Sequence, residues 1–179
     1  MLRAMNQFRD IWNSDISIKM KKNRYLSLVL SKGIWGIHMV GLTSDDLRYL
    51  DYIHARCLRR ILKIPAAYVS RISNAEVLRR AATPSFSAHL RKRQMQLLGH
   101  VLRCDNQHPD RKVVFARDSA RQRPSEGFQK KRGRPRKNWY GSIVPQCLEG
   151  LHLTHAQLLT HAQDRNQWKV VTERLCATL

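Results

Sequence analysis

The chain has 179 residues, 42% of them hydrophobic, and carries 33 basic side chains against 13 acidic ones, a net charge of +20. That length and apolar content fit one domain of ordinary size, or a small core with an extended segment, and exclude a wholly disordered chain. The charge calls for a polyanionic partner, or for attraction to a cell surface or membrane.

The surplus is localised. Residues 1–90 hold 15 basic and 6 acidic side chains, residues 91–140 hold 15 and 4, and residues 141–179 hold 3 and 3. The balance is therefore +9, then +11 in about half the length, then zero. A general solubility device has no reason to be so concentrated. The four cysteines, Cys57, Cys104, Cys147 and Cys176, form no CxxC pair, so a zinc ribbon or finger is not expected. His100 and Cys104 make at best a metal half-site. The simpler reading is four free, buried or half-buried thiols in a reducing compartment.

In chain order, Ser17 is an N-cap for a helix on which Ile18, Tyr25, Leu26 and Val29 recur at helical spacing. Gly33, Gly36 and Gly41 loosen the segment after that helix. The run YLSLVLSKGIWGIHMVGL is broken by Lys32, His38 and these glycines, is too interrupted for a membrane span, and reads as buried core. No signal peptide is visible at the N-terminus.

The clearest helix begins at Thr43 or Ser44, either of which can cap it, with Asp45 and Asp46 at the positive end of its dipole. Leu47, Leu50, His54, Cys57, Leu58, Ile61 and Leu62 form its apolar face, and Arg48, Arg56, Arg59 and Lys63 are expected off that face. Pro65 ends it. Ser73 and Glu76 form a capping-box pattern for a short helix before Pro84. A second long helix comes next, lined by Phe86, Leu90, Gln94, Leu97, Leu98, Val101 and Leu102. Gly99 within it costs about 1 kcal/mol against Ala, which points to a close helix contact or to a tolerated defect.

Residues 105–138 lose periodicity and are read as a polar, basic, disordered linker. Apolar spacing returns at Trp139, Ile143 and Leu148, with Pro145 expected to interrupt that helix. Thr154 and Gln157 repeat the capping-box pattern, and Trp168, Val171 and Leu175 mark a last amphipathic helix. With no strand pattern, the expected fold is all-α: a small helical core, a disordered basic linker and short C-terminal helices.

The one carboxylate pair, Asp45-Asp46, opens a helix, and the cap reading of it outweighs a polymerase-type metal pair, which needs a strand turn and a third carboxylate. No nucleophile elbow, zinc-protease helix or phosphate-cradling glycine loop is present. His152, His155 and His161 are near neighbours without carboxylates. No catalytic constellation and no cofactor or metal site is implied.

Two basic groups are candidates for nucleic-acid contact. Arg91, Lys92 and Arg93 sit off the apolar stripe of the second long helix and either face solvent or touch phosphates. The stretch QKKRGRPRKNW contains Lys130, Lys131, Arg132, Gly133, Arg134, Pro135, Arg136 and Lys137. Its glycine and proline keep the backbone thin and extended. Arg132 and Arg134 on such a ribbon can enter the narrow, electronegative minor groove of A·T-rich DNA while the flanking cations neutralise phosphates. This is the AT-hook pattern. The same residues also serve as a nuclear import signal or as an inert linker.

The order of these pieces resembles the region after the catalytic palm in reverse transcriptases of LINE-type (non-LTR) retrotransposons, through almost the whole chain. The similarity is carried by ISIKMKKNRYLSLVLSKGIWG, by LTSDDLRYLDYIHARCLRRILKI, by RISNAEVLRRAATPSFSAHLRKRQMQLLGHVLR, by KKRGRPRKNW and by DRNQW. The chain departs from the family at Ile37-His38-Met39-Val40, where Glu-Thr-Trp is usual, and at Pro145, inside a helix the family leaves intact. The resemblance implies four segments. Residues 1–42 are the helix and glycine-rich turn leaving the palm, 43–104 a thumb-like core, 105–138 the basic linker and 139–179 the C-terminal helices. It implies DNA, RNA or an RNA–DNA hybrid as partner; the basic run adds a nuclear location, and the interrupted apolar run speaks against a membrane. The palm's metal-binding aspartates and the endonuclease lie before residue 1 in the family, so the implied activity is nucleic-acid binding without catalysis, beside an upstream polymerase part encoded separately or lost. A second reading is a decayed or protein-interacting helical remnant, nuclear only through its basic run.

Overall fold

The computed structural model describes residues 1–115 and 139–177. The fold is all-α: every regular element among the described residues is a helix. The chain divides into two compact units, one formed by residues 1–38 and 43–90, the other by 39–42 and 91–179.

The first unit opens with α1 (Leu2–Gln7) and α2 (Arg9–Asn13), then α3 (Ile18–Tyr25), which runs through a π-helical turn, Leu26–Leu30, into α4 (Ser31–Ile34). Ser17 caps α3 by accepting from Met20 N. The buried residue of its first turn is not Ile18 but Lys21, whose Nζ donates to Trp12 O (2.9 Å) and Ser14 O (2.6 Å). The ammonium thereby closes the carbonyl end of α2, where a cation is favoured. Tyr25, Val29, Leu30 and Ile34 are core. The expectation of burial fails beyond them: Trp35, Met39 and Val40 are exposed, with Gly36 at φ +78° turning the chain outward.

Helix α5 (Ser44–Ile61) starts at a complete capping box, in which Thr43 Oγ1 accepts from Asp46 N while Asp46 Oδ2 accepts from Thr43 N. It buries His54, Ala55, Cys57, Leu58 and Ile61. Arg59, expected off this face, is also buried. Its guanidinium donates to Pro65 O, Ser70 Oγ, Ile72 O and Asn74 Oδ1. Those bonds fix the segment around α6 (Ala67–Ser70), which leads to α7 (Asn74–Ala81). Lys63 and Arg71, at φ +55° and +56°, bracket that segment. At α7 Ser73 caps as expected, but Glu76 does not return the bond. Its carboxylate takes Arg79 and Arg80 instead, each at 2.7 Å.

The centre of this unit is polar. Tyr25 Oη lies 2.7 Å from His54 Nδ1, and His54 Nε2 lies 3.2 Å from Pro84 O. Because a carbonyl only accepts, Nε2 carries the proton and Nδ1 accepts from the phenol. Burial, reinforced by the nearby His89, lowers the His54 pKa to about 4. Burial likewise pushes the Tyr25 phenol up and the Cys57 thiol to about 11.

Helix α8 (Phe86–Arg103) gives its first residues to the first unit and Arg91 onward to the second. There it joins α9 (Pro109–Val114), α10 (Trp139–Leu151), α11 (His155–Gln163) and α12 (Arg165–Ala177). Their shared core holds Met95, Leu98, Val101, Leu102, Phe115, Ile143, Val144, Leu158, Trp168, Val171 and Leu175. Two expectations are corrected here. Pro109–Val114 is not linker but a helix with proline at its first turn, followed by the buried Phe115. Helix α10 runs through Pro145, which is exposed. A proline whose ring faces solvent forfeits one backbone bond without disturbing the packed side. The rest of the expected disorder, 116–138, lies outside the described residues.

Of the two readings open for Gly99, the structure shows the close contact. The Trp168 indole lies on it, so that a Cβ there would sit 2.7 Å from Cε2, and Trp168 Nε1 donates to Met95 O at 2.8 Å. Substitution Gly99→Ala improves helix propensity by about 1 kcal/mol, but the methyl overlaps a ring anchored by its own hydrogen bond. The net expectation is a loss of about 1–3 kcal/mol, the ordinary cost of overpacking, read by urea unfolding; a stabilised variant refutes the contact.

His54 sets a pH dependence whose sign is fixed by its lowered pKa. The unfolded chain takes up a proton below the ordinary value near 6.5, and the folded chain only near 4. Its contribution is whole above pH 6.5 and falls away between 6.5 and 4, by on the order of 3 kcal/mol. Urea unfolding across that window should show the step in the native chain and lack it in His54→Gln. The imidazole resonances should remain those of a neutral ring at pH 5.

Candidate nucleic-acid interface

Of the two basic groups singled out in the sequence, the structure describes one. Arg91, Lys92 and Arg93 lie on consecutive positions of α8, with Lys92 and Arg93 exposed and Arg91 half-buried. They follow Leu90 and precede Gln94 and Met95, all buried, so the helix turns its core side away from Lys92 and Arg93. Cys176, near the end of α12, lies close to this group: burial raises its thiol pKa, and Lys92 and Arg91 oppose the rise.

The second group, Lys130, Lys131, Arg132, Gly133, Arg134, Pro135, Arg136 and Lys137, lies outside the described residues. The structure does describe the points between which that stretch runs. Phe115 and Tyr140 meet edge to face, with ring centroids 5.2 Å apart, and Arg111 stands 5.4 Å over the Phe115 ring. Trp139 packs against the second core, and its Nε1 is buried without a hydrogen-bond partner among the described residues.

Several cations are committed to the fold. Arg103 donates to Ala162 O at 2.8 Å, near the carbonyl end of α11. Arg111 donates to Leu102 O at 2.9 Å, at the carbonyl end of α8. Lys21 and Arg59 hold backbone carbonyls in the first unit. These roles leave no mark in the sequence, because the partners are main-chain oxygens that every residue type presents. Arg48 pairs with Asp45 at 3.3 Å on an exposed surface, a contact of small energetic weight.

Sequence periodicity also passes over Tyr49 and Tyr52, which are exposed on α5. The same spacing that assigns the apolar face of α5 puts them opposite it. The His100–Cys104 pair is present, with Sγ and Nε2 3.6 Å apart, and Asp110 Oδ2 is 3.7 Å from the same imidazole nitrogen. Among the described residues no group of three or more His, Cys, Asp or Glu could hold a metal ion, and no helix is long and apolar enough to cross a membrane. Comparison with family models, curated proteins and solved structures returns no match for this chain.

Proposed function

We propose that this chain is a non-catalytic nucleic-acid-binding module, corresponding to the region that follows the palm in LINE-type retrotransposon reverse transcriptases. It contacts template–primer or target DNA in the nucleus. The observation that carries the reading is the +11 balance concentrated in residues 91–140 around an Arg-Gly-Arg-Pro core. A polyanion supplies the counter-charge that so local a surplus lacks within the chain. Supporting it, Lys92 and Arg93 are solvent-facing, whereas other cations of the second unit are occupied with helix ends.

In this reading the ribbon around Gly133 lies in a minor groove, with Arg132 and Arg134 inserted. Lys130, Lys131, Arg136 and Lys137 touch phosphates, and Arg91, Lys92 and Arg93 form a second phosphate contact on α8.

The decisive measurement is fluorescence anisotropy on A·T-rich and G·C-rich duplexes at two salt concentrations. Replacing Arg132 and Arg134 by Ala should weaken binding by roughly 1–3 kcal/mol per groove contact, and more on the A·T-rich duplex. Replacing one flanking lysine should weaken both duplexes alike and flatten the salt slope by about one unit. Unchanged affinity and unchanged A·T preference in the double variant would reduce the stretch to a linker or import signal. The purified chain should not extend a primer on RNA or DNA with Mg²⁺ or Mn²⁺; template-dependent extension above a no-protein control overturns the assignment.

A further inference from the structure

We infer that the outer face of α5 is a stacking platform for the unpaired bases of a single strand, formed by Tyr49 and Tyr52 with Arg56 as its phosphate contact. This rests on the nucleic-acid reading above and adds to it a site in the first unit and a strand state.

The three residues fall on one stripe. At 100° per residue, positions 49, 52 and 56 lie within about 60° of one another, opposite the buried His54, Cys57, Leu58 and Ile61. Tyr49 is 63% and Tyr52 50% exposed, and they are the only large hydrophobic side chains exposed on α5. An exposed aromatic residue by itself is ordinary. Two on adjacent turns, at the point of the helix furthest from the core, are not, because that position normally holds charge.

What surrounds them selects the partner. The aliphatic side chain of α5 that borders the stripe, Ile53, is half-buried, and no aliphatic side chain of the helix is fully exposed there, as an apolar protein interface or a membrane surface would require. Of the acidic residues of the helix, Asp46 is held by Thr43 and Asp51 by the Ser87 amide at 2.8 Å, while Asp45, on the stripe one turn before Tyr49, has Arg48 beside it at 3.3 Å. Arg56 is exposed and makes no hydrogen bond or ion pair among the described residues. Two exposed rings beside an arginine with no ion pair, in a segment whose balance over residues 1–90 is +9, match bases stacked on π-faces with phosphates alongside, a mode that needs no sequence and no paired strand.

The test uses the full chain and three fluorescein-labelled probes: an oligothymidylate, an abasic strand of equal length and charge, and a duplex. The native chain should prefer the base-bearing strand to the abasic one. Tyr49→Ala with Tyr52→Ala should cost about tenfold or more on the base-bearing strand and leave the abasic strand and duplex unchanged. Tyr49→Phe with Tyr52→Phe should keep the preference, since the ring is retained. Arg56→Ala should weaken both single strands alike and reduce the salt slope. The variants fold as the native chain does because these side chains are exposed, and an unaltered thermal unfolding profile verifies it. Equal binding of the base-bearing and abasic strands by the native chain, or a preference that survives the alanine pair, overturns the platform while leaving duplex binding, and with it the broader reading, intact. Absence of binding to all three probes overturns both, and a stripe that instead drives self-association, seen as a concentration-dependent mass lost in the alanine pair, assigns it to a protein partner.

Discussion

The seat of Trp168 on Gly99 organises the second unit. A tryptophan is the largest side chain a core must place, and its ring N–H needs an acceptor when buried. The missing side chain at Gly99 lets the indole reach the α8 backbone, and Met95 O provides the acceptor. With α12 held in this way, Val171 and Leu175 face the same core as Leu98 and Leu102, and Leu175 comes against Gly150 of α10. A bulkier residue at position 99 would lift the whole face of α12, because an interior packed at crystal density has no slack to absorb a methyl group.

The same economy governs the cations. A helix leaves its last carbonyls without intrahelical partners, and a positive side chain satisfies them while matching the dipole. Lys21, Arg103 and Arg111 each serve a helix end in this fold, and Arg59 serves a loop. The formal charge of the chain therefore overstates what is offered to a partner. Such a cation is both a folding element and part of the protein's long-range field, and its removal would alter both.

Local chemistry was legible in the sequence. Thr43, Ser73 and Thr154 announce their helices because an N-cap needs only a short oxygen-bearing side chain beside a helical run, and all three accept the amide three residues on. The apolar face of α5 was legible for the same reason, being a matter of spacing along one helix, whereas Gly99 was legible only as one of two readings. Arg59 and Lys21 were not, since periodicity counts a cation as outward-facing whatever carbonyls the fold brings to it. Pro145 misled because sequence does not say which side of a helix a proline ring occupies. Helix α9 was hidden because its few apolar residues, among them the exposed Val113, give no stripe; the buried residue is Phe115, just beyond its end, which meets Tyr140. Of the candidate interface, the structure describes the α8 group and the two ends of the basic stretch.

That meeting of Phe115 and Tyr140 gives the stretch between them the status of an excursion from one core rather than a bridge between two bodies. Phe115 and Tyr140 are held in one core by their own packing. A single backbone cut within it would not release the C-terminal helices. The two pieces would stay joined through Trp168 and α8, as the halves of a split protein complement each other without a covalent link.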